Sequence, residues 1–460
     1  MLGRFGIEDR GSTVGREVLG GLTTFMSMSY IIFVQVGLLG MGCGMDPGGV
    51  MMATCIASAV ACVLMGLWAN YPIALAPGMG ENFFFALTLC PAMVAWGYGD
   101  DSGWQMALAL TAVAGGLFLL LSFVSFRAKL LNAIPDSLKS GIAAGIGLFI
   151  ALIGLNYGNL ITKGPALTKL ANLTDNPIAW LALAGLGIMV MLTAFRIRGA
   201  ILLGILATTT IAMLWGYSKP GMPVSMPSGL THTAGGFAKG FGYLFRAMGQ
   251  NWAQIVAWLF VLLFLDLFDT VGTLVGVSRR AGLMKNGTLP KAERALASDA
   301  VGTCTGAMLG TSTVTSYIES ITGVQAGART GLAAIVAGGC MLAAMFFEPL
   351  VNMVIGDFSV TVGDRSIAKY PTIAPALIMV GGLMIRAIRD VEWDEITEAL
   401  PAFLTMVTIP LAYSISDGIA VGFISYAVFK LLAGRPKECP LLVYVFAGLL
   451  ALNLIVQDVM

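Results

Sequence analysis

Residues 256–277 read VAWLFVLLFLDLFDTVGTLVGV, an apolar stretch long enough to cross a membrane that carries two aspartates near its centre. An aspartate at the middle of a membrane helix costs roughly 2.5–3.5 kcal/mol on insertion scales, so Asp266 and Asp269 need a compensating role. Their spacing, continued by Thr270 and Thr273, places the polar groups on one helical stripe. The stretch therefore predicts a membrane helix whose polar face lines a cavity.

The composition predicts an all-α polytopic membrane protein. Of 460 residues 57% are hydrophobic and 11% are charged, whereas a soluble domain carries about 25% charged residues. The net charge of +1 gives no indication of a nucleic-acid partner. One histidine, His232, and seven cysteines without a C-x-x-C pair argue against a catalytic site, a metal site or a cofactor. The cysteines are predicted to be small core residues rather than disulfides.

Apolar segments predict about fourteen crossings, and residues 440–458 form a further segment whose spanning the sequence leaves open. Two of the fourteen, 71–95 and 299–330, are too interrupted for ordinary helices. A polar link at 218–250 separates 1–217 from 251–460, and seven crossings per half predict an inverted repeat. Basic residues before the first span and after the eighth place the N-terminus in the cytoplasm by the positive-inside rule.

Each half has one interrupted segment, PIALAPGMGENFFF at 72–85 and GTSTVTSYIES at 310–320. Pro72 and Pro77 disfavour helix, and the alternating threonines of the second segment favour a strand. Irregular backbone at membrane depth survives only inside protein or beside water. We therefore expect two short antiparallel strands that pair, followed by half-helices whose N-termini suit a polar or anionic ligand.

The acidic residues have structural readings as well as functional ones. Ser316 and Glu319 fit a capping box, so Glu319 has a capping alternative beside the favoured ligand role. Asp266 and Asp269 have hydrogen bonding to neighbouring helices as their alternative, and Asn82 has a role as an ordinary helix cap as its alternative. The predicted substrate-binding residues are Asp266, Glu319, Asn82, Phe83, Ser27, Thr24, Thr270 and Ile318, and the predicted proton-coupling residues are Asp266, Glu319 and Asp269.

The motifs ALAPGMGENFFF, FLDLFDTVGTLVGV and TSTVTSYIES resemble those of the AzgA-like purine permeases of the nucleobase–ascorbate transporter superfamily. The resemblance covers most of the chain. Glu81 departs from it, standing where an apolar or small residue is usual. The resemblance implies a core domain from segments 1–4 and 8–11, a gate domain from segments 5–7 and 12–14, and an assembly that is often a homodimer.

The resemblance also implies proton-coupled uptake of hypoxanthine, guanine or adenine, with Asp266 and Glu319 holding the base beside Asn82 and Phe83. Two carboxylates in a low-dielectric pocket resist simultaneous ionisation, which favours proton uptake with the substrate. The alternative is a sulfate- or bicarbonate-type anion transporter of the same architecture, for which a positively charged binding pocket is expected. Lipid, a purine base and protons are thus the expected partners.

Overall fold

The computed structural model describes residues 2–99, 101–122, 134–164, 168–284, 289–362 and 365–459. Its α-helices are α1 (Val14–Met28), α2 (Tyr30–Cys43), α3 (Pro47–Leu64), α4 (Met79–Phe84), α5 (Cys90–Ala95), α6 (Ser102–Ser122), α7 (Asp136–Tyr157), α8 (Pro177–Ala194), α9 (Ala200–Leu214), α10 (Leu230–Thr233), α11 (Gly236–Ala281), α12 (Ala292–Leu309), α13 (Ser320–Gln325), α14 (Gly331–Ala344), α15 (Glu348–Ile355), α16 (Ala374–Met384), α17 (Ile396–Leu411), α18 (Ile415–Leu432) and α19 (Leu441–Val459). The strands are β1 (Leu75–Pro77), β2 (Ile161–Lys163), β3 (Thr168–Leu170), β4 (Val314–Ser316), β5 (Ser359–Val362) and β6 (Arg365–Ala368).

Many of these helices are long and apolar enough to cross a membrane. In the described residues eight stretches meet that condition: Val14–Cys43, Pro47–Ala69, Ser102–Ser122, Asp136–Tyr157, Pro177–Ala194, Leu230–Ala281, Gly331–Ile355 and Ile415–Leu432. Shorter apolar helices lie between them. The expectation of a helical multi-pass membrane protein is confirmed.

The helix that carries the aspartate stripe is longer than the apolar stretch. α11 runs for 46 residues, and Asn251 inside it has non-helical dihedral angles that kink its axis. Its first part, before the kink, together with α10, occupies much of the predicted polar link at 218–250. The link between the halves is therefore largely helical rather than irregular.

The prediction of one interrupted segment at 299–330 was wrong in its first part. α12 is a regular helix that continues to Leu309, and it ends because Gly310 adopts a left-handed conformation with φ of 110°. The irregular chain begins only there. It passes through β4 into the short helix α13.

The two interrupted segments pair as expected. β1 and β4 are antiparallel, with Ala76 opposite Thr315, and Gly78 N–H donates to Thr313 C=O at 3.0 Å. The Thr303 hydroxyl of α12 accepts from Val314 N–H at 3.1 Å and donates to Val314 C=O at 3.0 Å. Backbone polar groups at membrane depth are satisfied in this way without a larger sheet.

Glycines allow the helices around the strand pair to approach closely. A methyl group on Gly331, at the start of α14, would lie 2.6 Å from Gly66 Cα, and one on Gly66 would lie 2.5 Å from Gly331 O. The backbones are thus in direct contact. Small residues at such a crossing permit van der Waals packing, which helps to associate helices in lipid.

One prediction about the cysteines was wrong. Cys43, at the end of α2, and Cys90, at the start of α5, form a disulfide with a Cα–Cα distance of 5.4 Å. The pair is separated by 47 residues and lies in apolar sequence, so no local motif reveals it. Cys55, Cys62 and Cys439 are buried thiols, as predicted.

Glu17 of α1 is fully buried and holds the start of α14. Its carboxylate accepts the backbone N–H groups of Arg329 at 2.8 Å and Thr330 at 3.1 Å. These N–H groups precede α14 and lack a partner within that helix. The first transmembrane helix is in this way bonded to the segment that follows α13.

Replacing Glu17 by alanine should lower the free energy of unfolding by about 1–3 kcal/mol, because two buried N–H groups lose their acceptor. The melting temperature of the purified protein in detergent measures this loss. Glu8→Ala, an exposed position in the same N-terminal segment, is the control and should leave the melting temperature unchanged. Equal melting temperatures of the Glu17 and Glu8 variants would contradict the capping role.

Candidate functional site

A group of accessible side chains lies beside the crossing of β1 and β4. Asp269 of α11 is exposed there. Ile318 is 48% exposed and Glu319 is half-buried. We refer to these three side chains, from α11 and from the turn between β4 and α13, as the recess.

Glu319 is held by a tyrosine rather than by its own helix. The Tyr30 hydroxyl, from the start of α2, donates to Glu319 Oε1 at 2.8 Å. The Glu319 side chain makes no capping hydrogen bond to α13, and Ser316 instead donates to Asp299 Oδ1 at 3.4 Å. The capping-box alternative is therefore not what the structure contains.

Asp269 is connected to the strand pair. The Thr315 hydroxyl of β4 donates to Asp269 Oδ2 at 3.3 Å, a long hydrogen bond. Asp269 and Glu319 are close enough to interact electrostatically. The carboxylates of α11 and of the turn after β4 are thus near one another.

The rest of the aspartate stripe faces protein. Asp266 is 1% exposed, and Thr270 and Thr273 are buried. The Thr270 hydroxyl donates to Asp299 Oδ1 of α12 at 2.8 Å. Of the two stripe aspartates, Asp269 is the one that water reaches.

The predicted residues of the first interrupted segment lie behind the strand crossing. Asn82 is fully buried; it accepts a hydrogen bond from the Ser312 hydroxyl, and its amide nitrogen donates to Pro77 C=O at 3.3 Å. Phe83 is also buried and packs edge-on against Phe149 of α7, with ring centroids 6.2 Å apart. Asn82 therefore fixes the loop before β4, and Phe83 packs toward the helix that would belong to the gate.

The two predicted residues of α1 differ in position. Ser27 is half-buried and lies 3.0 Å from the Thr322 hydroxyl of α13. Thr24 is buried, and its hydroxyl lies against Gly323, where it would block any added methyl group. Ser27 is near the turn that carries Glu319, whereas Thr24 serves the packing of α1 on α13.

The chain matches a known protein family over most of its length. A family model described as "Permease family" (Xan_ur_permease) matches residues 15–421. The chain belongs to this family. The permease is therefore a transporter of the nucleobase–ascorbate type and not an enzyme, as the sequence predicted.

Several relatives match the permease over nearly the full length of both chains. A putative permease of Methanocaldococcus jannaschii is 42% identical, with 98% of this chain and 97% of the relative covered. Guanine/hypoxanthine permease PbuG of Bacillus subtilis is 40% identical over 96% of each chain. Adenine permease AdeQ of Escherichia coli is 38% identical, with 99% of this chain and 96% of the relative covered.

Solved structures confirm the fold. The transmembrane domain of the cyanobacterial bicarbonate transporter BicA superposes with a TM-score of 0.60 at 15% identity, covering 88% of the permease and 97% of that chain. The transporter SLC26A9 gives a TM-score of 0.59 at 11% identity, covering 91% and 66%. At these identities the likeness concerns architecture alone.

Sequence reasoning missed several polar residues of the permease's site. Tyr30 and Thr315 orient the recess carboxylates. Asp299 accepts hydrogen bonds from the hydroxyl groups of Thr270 on α11 and Ser316 on β4. Gln35 donates to Thr311 at 3.0 Å and to Ser312 at 2.9 Å. Asp299 was detectable, because it is an acid within an apolar helix; the tyrosine and threonine contacts were not, because they join distant segments.

Proposed function

We propose that the permease imports purine nucleobases together with protons by alternating access. Three full-length relatives are named for purine bases, two as guanine/hypoxanthine permeases and one as an adenine permease, which supports this substrate class. The observation that carries the proposal is a pair of neighbouring acids, Asp269 and Glu319, whose side chains stay accessible within a bundle of apolar helices. The edge of a purine presents N–H donors and hydrogen-bond acceptors in one plane, so carboxyl groups on two sides of the base can hydrogen-bond to it.

In this proposal Asp269 and Glu319 hydrogen-bond the base, while Ile318 covers its apolar face. Tyr30 orients Glu319, and Thr315 orients Asp269. Asn82 and Ser27 act indirectly, since both bond to the loop and helix that bracket the strand β4. Phe83 belongs to the packing between core and gate. Asp266 and Thr270 remain predicted contacts, although they lie behind Asp269 in this conformation.

Proton coupling follows from the same pair. An ionised carboxylate only accepts hydrogen bonds, whereas a protonated one also donates, so a base that presents both donors and acceptors favours one proton on the pair. Asp269 and Glu319 form no ion pair with a basic residue among those described, so a proton is the available means of neutralising their charge. When the base and the proton bind together, the site loses negative charge before the loaded site moves across the membrane.

The proposal places fourteen segments in two inverted sets of seven, with a core domain that moves against a gate domain. The crossing of one strand from each half agrees with such a repeat, since equivalent interruptions meet at the membrane midplane. The N-terminus lies in the cytoplasm in this arrangement, as the basic loops indicate. A homodimer is the proposed assembly.

An anion substrate is the alternative that the fold raises, because the structural neighbours include a bicarbonate transporter. The recess argues against it. Two carboxylates, Asp269 and Glu319, would repel an anion, and an anion site is expected to present basic side chains such as arginine instead.

Uptake into proteoliposomes tests the function. Radiolabelled hypoxanthine, guanine and adenine should accumulate with an inwardly directed proton gradient, and a protonophore should abolish the accumulation. Unlabelled purines should compete, whereas sulfate and bicarbonate should not. Asp269→Asn should lower accumulation at least about 10-fold, the cost of one charged hydrogen bond. Competition by bicarbonate, or full accumulation without a proton gradient, would refute the proposal.

A further inference from the structure

Glu81 is a buried acid for which the function proposed above has no role. It lies on α4, the half-helix that follows β1, and is 1% exposed. Its carboxylate packs over Gly78, where an added methyl group would collide with it and would also lie 2.8 Å from the Thr315 hydroxyl. Glu81 thus adjoins the same threonine that donates to Asp269.

Within the described parts of the chain, no donor from another residue hydrogen-bonds to either carboxyl oxygen of Glu81. Other buried acids of the permease are held differently: Glu17 by two backbone N–H groups, and Glu319 by Tyr30. The ionisable groups around Glu81 are Asp269 on α11, Asp299 on α12 and Tyr317 after β4, and none of these is a cation. An ionised Glu81 would therefore be a buried charge without compensation.

A buried charge of this kind costs several kcal/mol even after relaxation of the surroundings, and such groups bind a proton or a cation instead. Among the described residues no three His, Cys, Asp or Glu side chains form a group that could hold a metal ion. The other oxygen atoms that could bind an ion beside Glu81 belong to one hydroxyl, that of Thr315, and to one further carboxylate, that of Asp269. This set is sufficient for a proton and poor for a hard cation, which takes six or more oxygens.

We propose that Glu81 is a second proton-binding site of the permease, which exchanges its proton with the recess through Thr315 and Asp269. The inference rests on the proposed proton-coupled transport and deepens it. Glu81 holds a proton when Asp269 is ionised, and the Thr315 hydroxyl, which donates to Asp269, adjoins the Glu81 carboxyl group as well. A proton that enters through water at Asp269 is thereby passed to a position that water does not reach.

The consequence is a defined alkaline limit of transport. Loss of the Glu81 proton leaves two anions beside one threonine, and their repulsion disfavours the arrangement that binds the base. Glu81→Gln keeps the size of the side chain and cannot ionise, so it mimics the protonated form. The variant should continue to exchange purine at pH values where the natural protein has stopped.

The experiment is exchange of radiolabelled hypoxanthine across proteoliposomes with equal pH on both sides, followed from mildly acidic to alkaline pH. For Glu81→Gln the pH of half-maximal exchange should be about one unit or more above that of the natural protein. Glu17→Gln is the matched control, since Glu17 is equally buried but lies outside the acid cluster. It should change the amount of folded protein and leave the pH profile in place.

A second measurement covers the case in which Glu81→Gln does not fold. Infrared difference spectra of the natural protein, recorded as pH is raised, should show loss of a protonated-carboxyl C=O band that is absent in Glu81→Leu. Superimposed pH profiles or unchanged infrared bands in the Glu81 variants overturn the second proton site. A natural protein whose purine exchange is insensitive to pH would instead refute the proton coupling proposed above.

Discussion

Replacing Glu319 by alanine should reduce purine accumulation at least about 100-fold while the protein still inserts and folds. The loss removes one of the two neighbouring acids and leaves the Tyr30 hydroxyl without its acceptor. Hydrogen bonds to charged groups contribute about 1.5–3 kcal/mol each. A base that makes two such bonds to the Glu319 carboxylate therefore loses two orders of magnitude in affinity or more when Glu319 is removed. Uptake and equilibrium binding of labelled hypoxanthine measure the effect.

Tyr30→Phe separates positioning from direct contact. It removes the hydroxyl that orients Glu319 and keeps the carboxylate, so we expect a smaller loss of about 10-fold in binding. Size-exclusion chromatography in detergent should show folded protein for both variants. A Glu319→Ala protein that binds purine as well as the natural protein would remove Glu319 from the site.

Replacing Gly331 by leucine should prevent folding of most of the protein. The first side-chain carbon would lie 2.6 Å from Gly66 Cα, and backbone cannot move away as a flexible side chain can. Overpacking typically costs 1–3 kcal/mol, and a clash between two backbones belongs at about 3 kcal/mol or above. The yield of monodisperse protein and its melting temperature report the loss.

The same helix provides the control. Gly339 of α14 has no atom within 4 Å of the position that a methyl group would take. Gly339→Leu should therefore insert and melt like the natural protein. If Gly331→Leu and Gly339→Leu gave the same yield and stability, close contact between α14 and the π-helical segment Met65–Ala69 that contains Gly66 would not be important for folding.

The sequence was informative where acidic residues or prolines occur within apolar, membrane-spanning segments. Acids and prolines in apolar sequence located both interrupted segments and the stripe on α11, because burial of such groups is costly anywhere in a membrane. The strand pairing of 72–85 with 310–320 followed from the need to satisfy backbone polar groups. These inferences depend on chemistry that each segment shows by itself.

The sequence was uninformative where the position of a side chain depends on the rotation of its helix about the helix axis, or on contacts between segments that are far apart in the sequence. Asp266 and Asp269 lie three residues apart on one helical stripe, and only the packing of α11 decides that Asp269 meets water while Asp266 is buried. The Cys43–Cys90 disulfide and the Tyr30–Glu319 hydrogen bond join segments through tertiary structure. Helix periodicity defines a face, but it does not say what that face contacts.

The strand pair also sets an order of events during synthesis. Leu75 is opposite Ser316, so the first strand emerges from the ribosome roughly 240 residues before its partner. At about 5–20 residues per second the delay is on the order of tens of seconds. Throughout that interval the nascent amino-terminal half holds an extended segment with unsatisfied amides in or near the bilayer, and a translocon or chaperone that shelters it would be expected to govern how much transporter matures.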